Sequence, residues 1–326
     1  MSSSTDALGG YIELELPVRD YKSWLANALK FNSARAAFAG LVDQLATKEV
    51  WVPSYLCDSM INALNGRQVQ LKFYDLAEDF TIKGELNLSE NSLLLYVNYF
   101  GVCAEQAENV ISHYGAGKVV IDNSQALFCD PCEALATMYS PRKFFGFPDG
   151  GLLYSDDSRI NQPKDRDNTS ESRMAHLISR ITNSPEKAYQ EYLEAEQAIA
   201  GLPVLGMSRL TERLLYSVDY KAAKNARIRN ALYLHECLGE FNQLRLNLGE
   251  SIAPLCYPFL PKVKPVSRSE LIENRVFIPS YWPEVLTRVK EGSFEWDLVT
   301  NGLFLPCDQR YTEHDMDRLV HLLAIK

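Results

Sequence analysis

The chain has 326 residues, 46% of them hydrophobic, with a formal net charge of −9. That is enough apolar material to bury the cores of one large domain and a smaller one, which excludes a mainly disordered chain. The acidic balance excludes general attraction to nucleic acid, so a phosphate-bearing ligand must be met by local donors, as in a small-molecule site.

No apolar run approaches the roughly 20 residues of a membrane span, and Met1 to Gly10 lacks a basic-then-apolar signal pattern. A cytoplasmic protein is expected, with neither membrane nor nucleic acid as a partner. The seven cysteines, Cys57, Cys103, Cys129, Cys132, Cys237, Cys256 and Cys307, are odd in number and scattered. They read as small buried residues in a reducing compartment rather than as a disulfide framework.

From Lys30 to Ser155, amphipathic helices alternate with short apolar runs, the pattern of an α/β fold with a mostly parallel sheet. A helix is predicted from Ala34, with Phe38, Leu41, Val42 and Leu45 on one face and Asn32 or Ser33 as its N-cap. Strands are predicted at Val50 to Val52, Gln70 to Tyr74, Leu93 to Tyr99, Val119 to Asp122 and Gly151 to Tyr154. Helices are predicted around Cys57 to Leu64 and Ala104 to His113. Asn161 to Ser172 is polar without periodicity and reads as an exposed loop. Helix resumes at Arg173, and a long helical pattern from Tyr220 to Phe241 leads into a proline-marked segment. A boundary near residue 225 follows, giving a large domain over 1–225 and a small α+β domain over 226–326. The last helix, Glu313 to Leu323, would pack on the small domain through Met316, Leu319, Val320 and Leu323. No internal repeat or low-complexity tract is present.

Three segments carry chemistry. In Tyr139-Ser140-Pro141-Arg142-Lys143-Phe144-Phe145-Gly146-Phe147-Pro148-Asp149-Gly150-Gly151, a lysine flanked by aromatics precedes a turn and a strand. A partly apolar pocket there would let the Lys143 amine lose its proton and act as a nucleophile. The plainer reading is a solvated lysine beside a turn. Val119-Val120-Ile121-Asp122 ends an apolar strand with an acid at its carboxyl end, where open α/β sheets place ligands. Pyridoxal phosphate requires such a carboxylate on its pyridine nitrogen, because the protonated ring is the stronger electron sink. An Asp that merely caps a turn is the alternative. In Phe31-Asn32-Ser33-Ala34-Arg35-Ala36-Ala37, small residues open a helix and leave backbone N–H groups outward, a cradle for phosphate or simply a capped helix.

Taken with Val52-Pro53-Ser54-Tyr55-Leu56-Cys57, Tyr96-Val97-Asn98-Tyr99-Phe100-Gly101, Asp122-Asn123-Ser124-Gln125 and the ending Leu305-Pro306-Cys307, these segments resemble the DegT/StrS family of sugar aminotransferases. The similarity runs over nearly the whole chain. It implies the aspartate-aminotransferase type of fold, fold type I among pyridoxal-phosphate enzymes, with pyridoxal 5'-phosphate as cofactor. Lys143 would carry the cofactor through its amine and then move a proton between substrate carbon and cofactor carbon. Asp122 would pair with the pyridine nitrogen, and Gln125 would lie against the ring or its phenolic oxygen. Ser33, Ala34 and Arg35 would serve the phosphate, with Ser140 near the same group and Ser124 in the cofactor-binding set. Ring stacking falls to Tyr55 or Cys57, and Tyr55 is taken.

The resemblance further implies a homodimer with shared active sites. The activity implied is transfer of an amino group, with glutamate as donor, to a keto group of a nucleotide-linked sugar, for a polysaccharide or secondary metabolite. Other readings keep the fold as a sugar dehydratase, in which histidine typically replaces the lysine, or as a non-catalytic binding module. Departures are Asn98 where histidine is frequent, Met138 where serine is common, and the lack of an asparagine-containing loop.

Other motifs are set aside. Cys129-Asp130-Pro131-Cys132 has no companion pair for a metal. Gly115-Ala116-Gly117-Lys118 enters a strand rather than leaving one and reads as a helix end and turn. No G-x-G-x-x-G follows a strand. The histidines, His113, His176, His235, His314 and His321, lack metal spacing and are expected at the surface.

Overall fold

The computed structural model describes residues 9–19, 23–263 and 266–323. Seven strands form the main sheet: β1 (Leu29–Phe31), β2 (Glu49–Pro53), β3 (Gln70–Tyr74), β4 (Ser92–Val97), β5 (Val119–Asp122), β6 (Ala136–Tyr139) and β7 (Gly151–Tyr154). Their order is β1-β7-β6-β5-β4-β2-β3. Strands β2 to β6 run parallel, and β7 is antiparallel to both its neighbours, β6 and β1. The predicted α/β class is therefore the one found. The central strands β4 and β5 are buried along their whole length, because helices cover both faces of a parallel sheet.

Two strands were not expected from the sequence. Both β1 and β6 are only three or four residues long, too short to show a period. In the other direction, β4 stops at Val97 rather than Tyr99. Phe100 has φ 56°, which no strand residue adopts, and a 3-10 turn covers Tyr99–Gly101. Gly115, with φ 88°, closes the helix Ala104–Tyr114 by donating to Ile111 O at 2.9 Å, so the Gly-Ala-Gly-Lys segment is a helix end.

A second sheet pairs β8 (Tyr257–Phe259) with β9 (Leu303–Leu305) antiparallel. The helix Tyr220–Leu238 joins it to the rest. Its early residues Tyr220 and Ala223 pack with Phe144 and Phe147, whereas Ala231, Leu234 and Leu238 pack with Tyr257, Phe259 and Leu305. The last helix, Glu313–Leu323, buries Met316, Leu319 and Leu323 in this second core.

The stretch 161–172 is mostly exposed but anchored. Asp167 and Arg173, both buried, form an ion pair, and Arg173 Nε also donates to Pro148 O at 3.1 Å. A charge pattern alone does not reveal that a pair is buried. His176 is likewise buried, not at the surface, with its ring 5.6 Å from that of Tyr192. Among the described residues, no helix is long and apolar enough to cross a membrane, and no disulfide links the cysteines. Nor does any group of three or more His, Cys, Asp or Glu residues there have the arrangement of a metal site.

Candidate active site

A cavity of about 810 Å³ opens at the carboxyl ends of the parallel strands. Val97 closes β4, Asp122 closes β5 and Ser140 follows β6, so three neighbouring strand ends form its floor. This is where the ends of a parallel sheet and the loops beyond them leave room for a ligand. Of the nine residues singled out in the sequence, eight line it: Ser33, Ala34, Arg35, Asp122, Ser124, Gln125, Ser140 and Lys143.

Asp122 is 4% exposed and its Oδ1 accepts the Ser124 N–H at 2.8 Å. Burial raises its carboxyl above the ordinary value, while the Lys143 charge and the Ser124 N–H pull the other way. Lys143 ends a 3-10 turn, Pro141–Lys143, whose N–H donates to Ser140 O at 3.2 Å. Its flanking aromatics do not wrap the amine as expected. Phe144 and Phe147 are buried in the core behind the turn, and the lysine side chain opens into the cavity. The turn is held from outside by Arg227, whose guanidinium lies 4.6 Å from the Phe144 ring, and by Gln309 Nε2, which donates to Phe144 O at 2.8 Å.

The helix Ala34–Gln44 points its first turn at the same space. Ser33 is the N-cap, its Oγ accepting from Ala36 N at 3.1 Å. The first-turn N–H groups of Ala34 and Arg35 have no intrahelical acceptor by geometry. Gly150 and Gly151 explain how the helix start reaches the sheet. A Cβ on Gly151 would lie 2.2 Å from the Ser33 carbonyl carbon, so only glycine lets the two backbones pass. Asp149 fixes the same turn by accepting from Ser208 N at 2.8 Å and from the Thr211 hydroxyl.

Three buried polar side-chain atoms on this wall have no hydrogen-bond partner: Arg35 Nη2, Gln125 Nε2 and Ser124 Oγ. Gln125 is 1% exposed, and its Oε1 already accepts from Phe100 N at 2.6 Å, which leaves the amide nitrogen without a protein partner. Burial and the nearby Arg142 both lower the Arg35 pKa. Buried donors normally have partners, so these three mark where a ligand's acceptors would sit.

Tyr55 is a correction. It does not line the cavity; it is wholly buried behind Leu56 and Cys57, with its ring 5.5 Å from Tyr99 and 5.0 Å from Trp282. The chain leaves β2 so that Leu56 and Cys57, not Tyr55, face inward. The sequence reading also missed much of the remaining wall. Tyr192 and Glu196 come from the helix Tyr189–Ala200, and Glu196 pairs with Arg142 beside Lys143. Tyr281, Trp282, Glu284 and Arg310 come from the C-terminal part of the chain. The Tyr281-Trp282-Pro283 run was the one local signal available.

No protein-family model matches the chain, and comparison of its sequence with curated proteins finds no match either. Solved structures do match it in shape. A DegT/DnrJ/EryC1/StrS aminotransferase from Brucella abortus superposes with a TM-score of 0.59 at 14% identity, covering 91% of this chain and 85% of that one. The chain shares the fold of these enzymes. An Escherichia coli GDP-4-keto-6-deoxy-D-mannose-3-dehydratase with bound hydrated PLP gives a TM-score of 0.60 at 17% identity, over 91% and 87% of the two chains. Helicobacter pylori PseC, an aminotransferase in the biosynthesis of pseudoaminic acid, gives 0.57 at 15% identity, over 91% and 85%. This is the fold that the resemblance to the DegT/StrS family implied, and it is common to aminotransferases and dehydratases.

Proposed function

We propose that the chain is a pyridoxal-phosphate-dependent aminotransferase that passes an amino group, from glutamate, to a keto group of a nucleotide-linked sugar. The observation that carries this reading is a single cavity shared by an accessible lysine amine, a buried carboxylate and three buried donors without partners. Those residues fit the cofactor. Lys143 would supply the amine that anchors it, Asp122 would face its ring nitrogen, Gln125 Nε2 would serve its ring oxygen, and Ser33, Ala34 and Arg35 would serve its phosphate, with Ser124 and Ser140 close by. When bound, pyridoxal phosphate supplies an electron-withdrawing ring that takes up the charge released as a substrate C–H bond breaks.

The protein's part is to orient and to move protons. Asp122, buried and so reluctant to ionise alone, would carry its negative charge where a ring N–H faces it and offsets the burial. Lys143, on a turn braced by Arg227 and Gln309, accepts a proton from one carbon and returns it to another. Glu196 and Arg142 keep the helix Tyr189–Ala200 against that turn. Dehydratases share the fold, but Lys143 stands where the resemblance gives those relatives a histidine, which favours transamination. We also propose a cytosolic homodimer with shared sites, and a division at residue 225 into a cofactor-binding domain and a smaller C-terminal one.

The test is spectroscopic. Added pyridoxal phosphate should give a protein-bound visible band, and glutamate should convert it to the absorbance of the amine form of the cofactor. A band that no amino donor alters would remove transamination, and no band at all would remove the enzyme reading.

A further inference from the structure

We propose that Trp282 is the specificity residue for the substrate's sugar, laying its indole along the C–H face of the sugar ring. This deepens the nucleotide-sugar reading and rests on it. The groups that fit the cofactor all come from the N-terminal half of the chain, between Ser33 and Lys143. The same cavity has a further wall, Pro279, Tyr281, Trp282, Glu284 and Arg310, from the C-terminal part. At about 810 Å³ the cavity has room for more than a cofactor.

Trp282 has φ 66° and ψ 75°, a left-handed backbone that a bulky side chain adopts only at a cost. Such residues persist where their surroundings over-determine them, and they cluster at ligand sites. Among the described residues, five other than glycine have positive φ: Ala46, Phe80, Phe100, Arg275 and Trp282. Of these only Trp282 lines the cavity. Phe80 and Phe100, by contrast, are wholly buried and are used up in packing.

The strained backbone is clamped. Pro283 opens a 3-10 turn, Pro283–Thr287, in which Val285 N donates to Trp282 O at 2.9 Å. Glu284 Oε1 accepts from Asp58 N at 3.1 Å, and Arg288 donates to Ser54 O at 2.9 Å and to Asp58 Oδ1 at 2.6 Å. These bonds bolt the turn onto the segment after β2. The indole then rests on Tyr55, 5.0 Å away at 58°, and on Tyr281, 5.6 Å away at 63°. Trp282 is only half-buried, so part of its ring remains uncovered toward the cavity. A rigid, partly open aromatic ring in a cavity lined by both polar and apolar groups suits a ligand that is apolar on one face and hydroxylated at its edge. A sugar ring has that character.

The experiment is calorimetric titration of the cofactor-loaded protein with UDP, TDP and GDP, and with UDP-glucose, TDP-glucose and GDP-mannose. Cofactor loading is followed separately by visible absorbance. At least one conjugate should bind more tightly than its bare nucleotide. Trp282→Asn, which tolerates left-handed backbone, should shrink that advantage about tenfold, while Trp282→Phe should keep most of it. All three proteins should load cofactor alike. The proposal is overturned if Trp282→Asn keeps the full advantage, or if no conjugate outbinds its nucleotide in the native protein. Failure of the native protein to load cofactor would instead break the reading beneath, and the inference falls with it.

Discussion

Gly151 lies directly under the backbone of Ser33, so close that a Cβ on the glycine would sit 2.2 Å from the Ser33 carbonyl carbon and 2.4 Å from Ala34 N. The contact joins the start of β7, just beyond the lysine turn, to the helix end that faces the cavity. Because both neighbours are backbone, neither can rotate away.

Gly151→Ala should therefore destabilise the protein by roughly 1–3 kcal/mol in chemical denaturation. It should weaken retention of pyridoxal phosphate as well. Gly117→Ala, at a glycine with nothing within 4 Å, is the control. Equal behaviour of the two variants would contradict the close approach.

Asp122 gives a pH prediction. Burial raises its carboxyl, so the folded state binds the proton more tightly than the unfolded chain does. Its contribution to stability is complete below the ordinary carboxyl range and fades as pH rises through the raised value. In the cofactor-free protein, Asp122→Asn removes that loss. The variant should gain in melting temperature relative to the native chain as pH rises from about 4 to neutrality, while binding pyridoxal phosphate more weakly. A gap that stays constant over this range would show that the carboxyl titrates alike in both states.

The Asp167–Arg173 pair is buried on both sides, at 1% and 3% side-chain exposure. Asp167→Ala strands the guanidinium and should cost about 3–5 kcal/mol by chemical denaturation. A loss under about 1 kcal/mol, typical of surface pairs, would place the pair in solvent.

The Arg142–Glu196 pair is more open on its glutamate side. Glu196→Gln should change global stability by less than about 1 kcal/mol. It should nonetheless speed amide exchange across 189–200, because that pair ties the helix to the lysine turn. Unchanged exchange there would mean that the helix is held by other contacts.

Much of the main sheet was legible in the sequence because β2 to β5 and β7 are marked by apolar runs between turn residues. The site was legible where local patterns carry it: a small-residue helix start, an acid at a strand end, a lysine before Gly-Gly. What was not legible depends on tertiary placement. Nothing local tells that Tyr55 is wholly enclosed while Leu56 and Cys57 reach the cavity wall, since all three lie within a few residues of the strand end. Glu196 lies 54 positions from Arg142, and no periodicity announces such a pair. The aromatic flank of Lys143 was misread because Phe144 and Phe147 anchor the turn to the core instead of enclosing the amine.

The most direct measurement is borohydride reduction of the protein loaded with pyridoxal phosphate, followed by peptide mapping. One cofactor per chain on the peptide containing Lys143, and none in the Lys143→Ala variant, is the predicted result. A label on another lysine, or no stable label on the native chain, would contradict the assignment of this cavity.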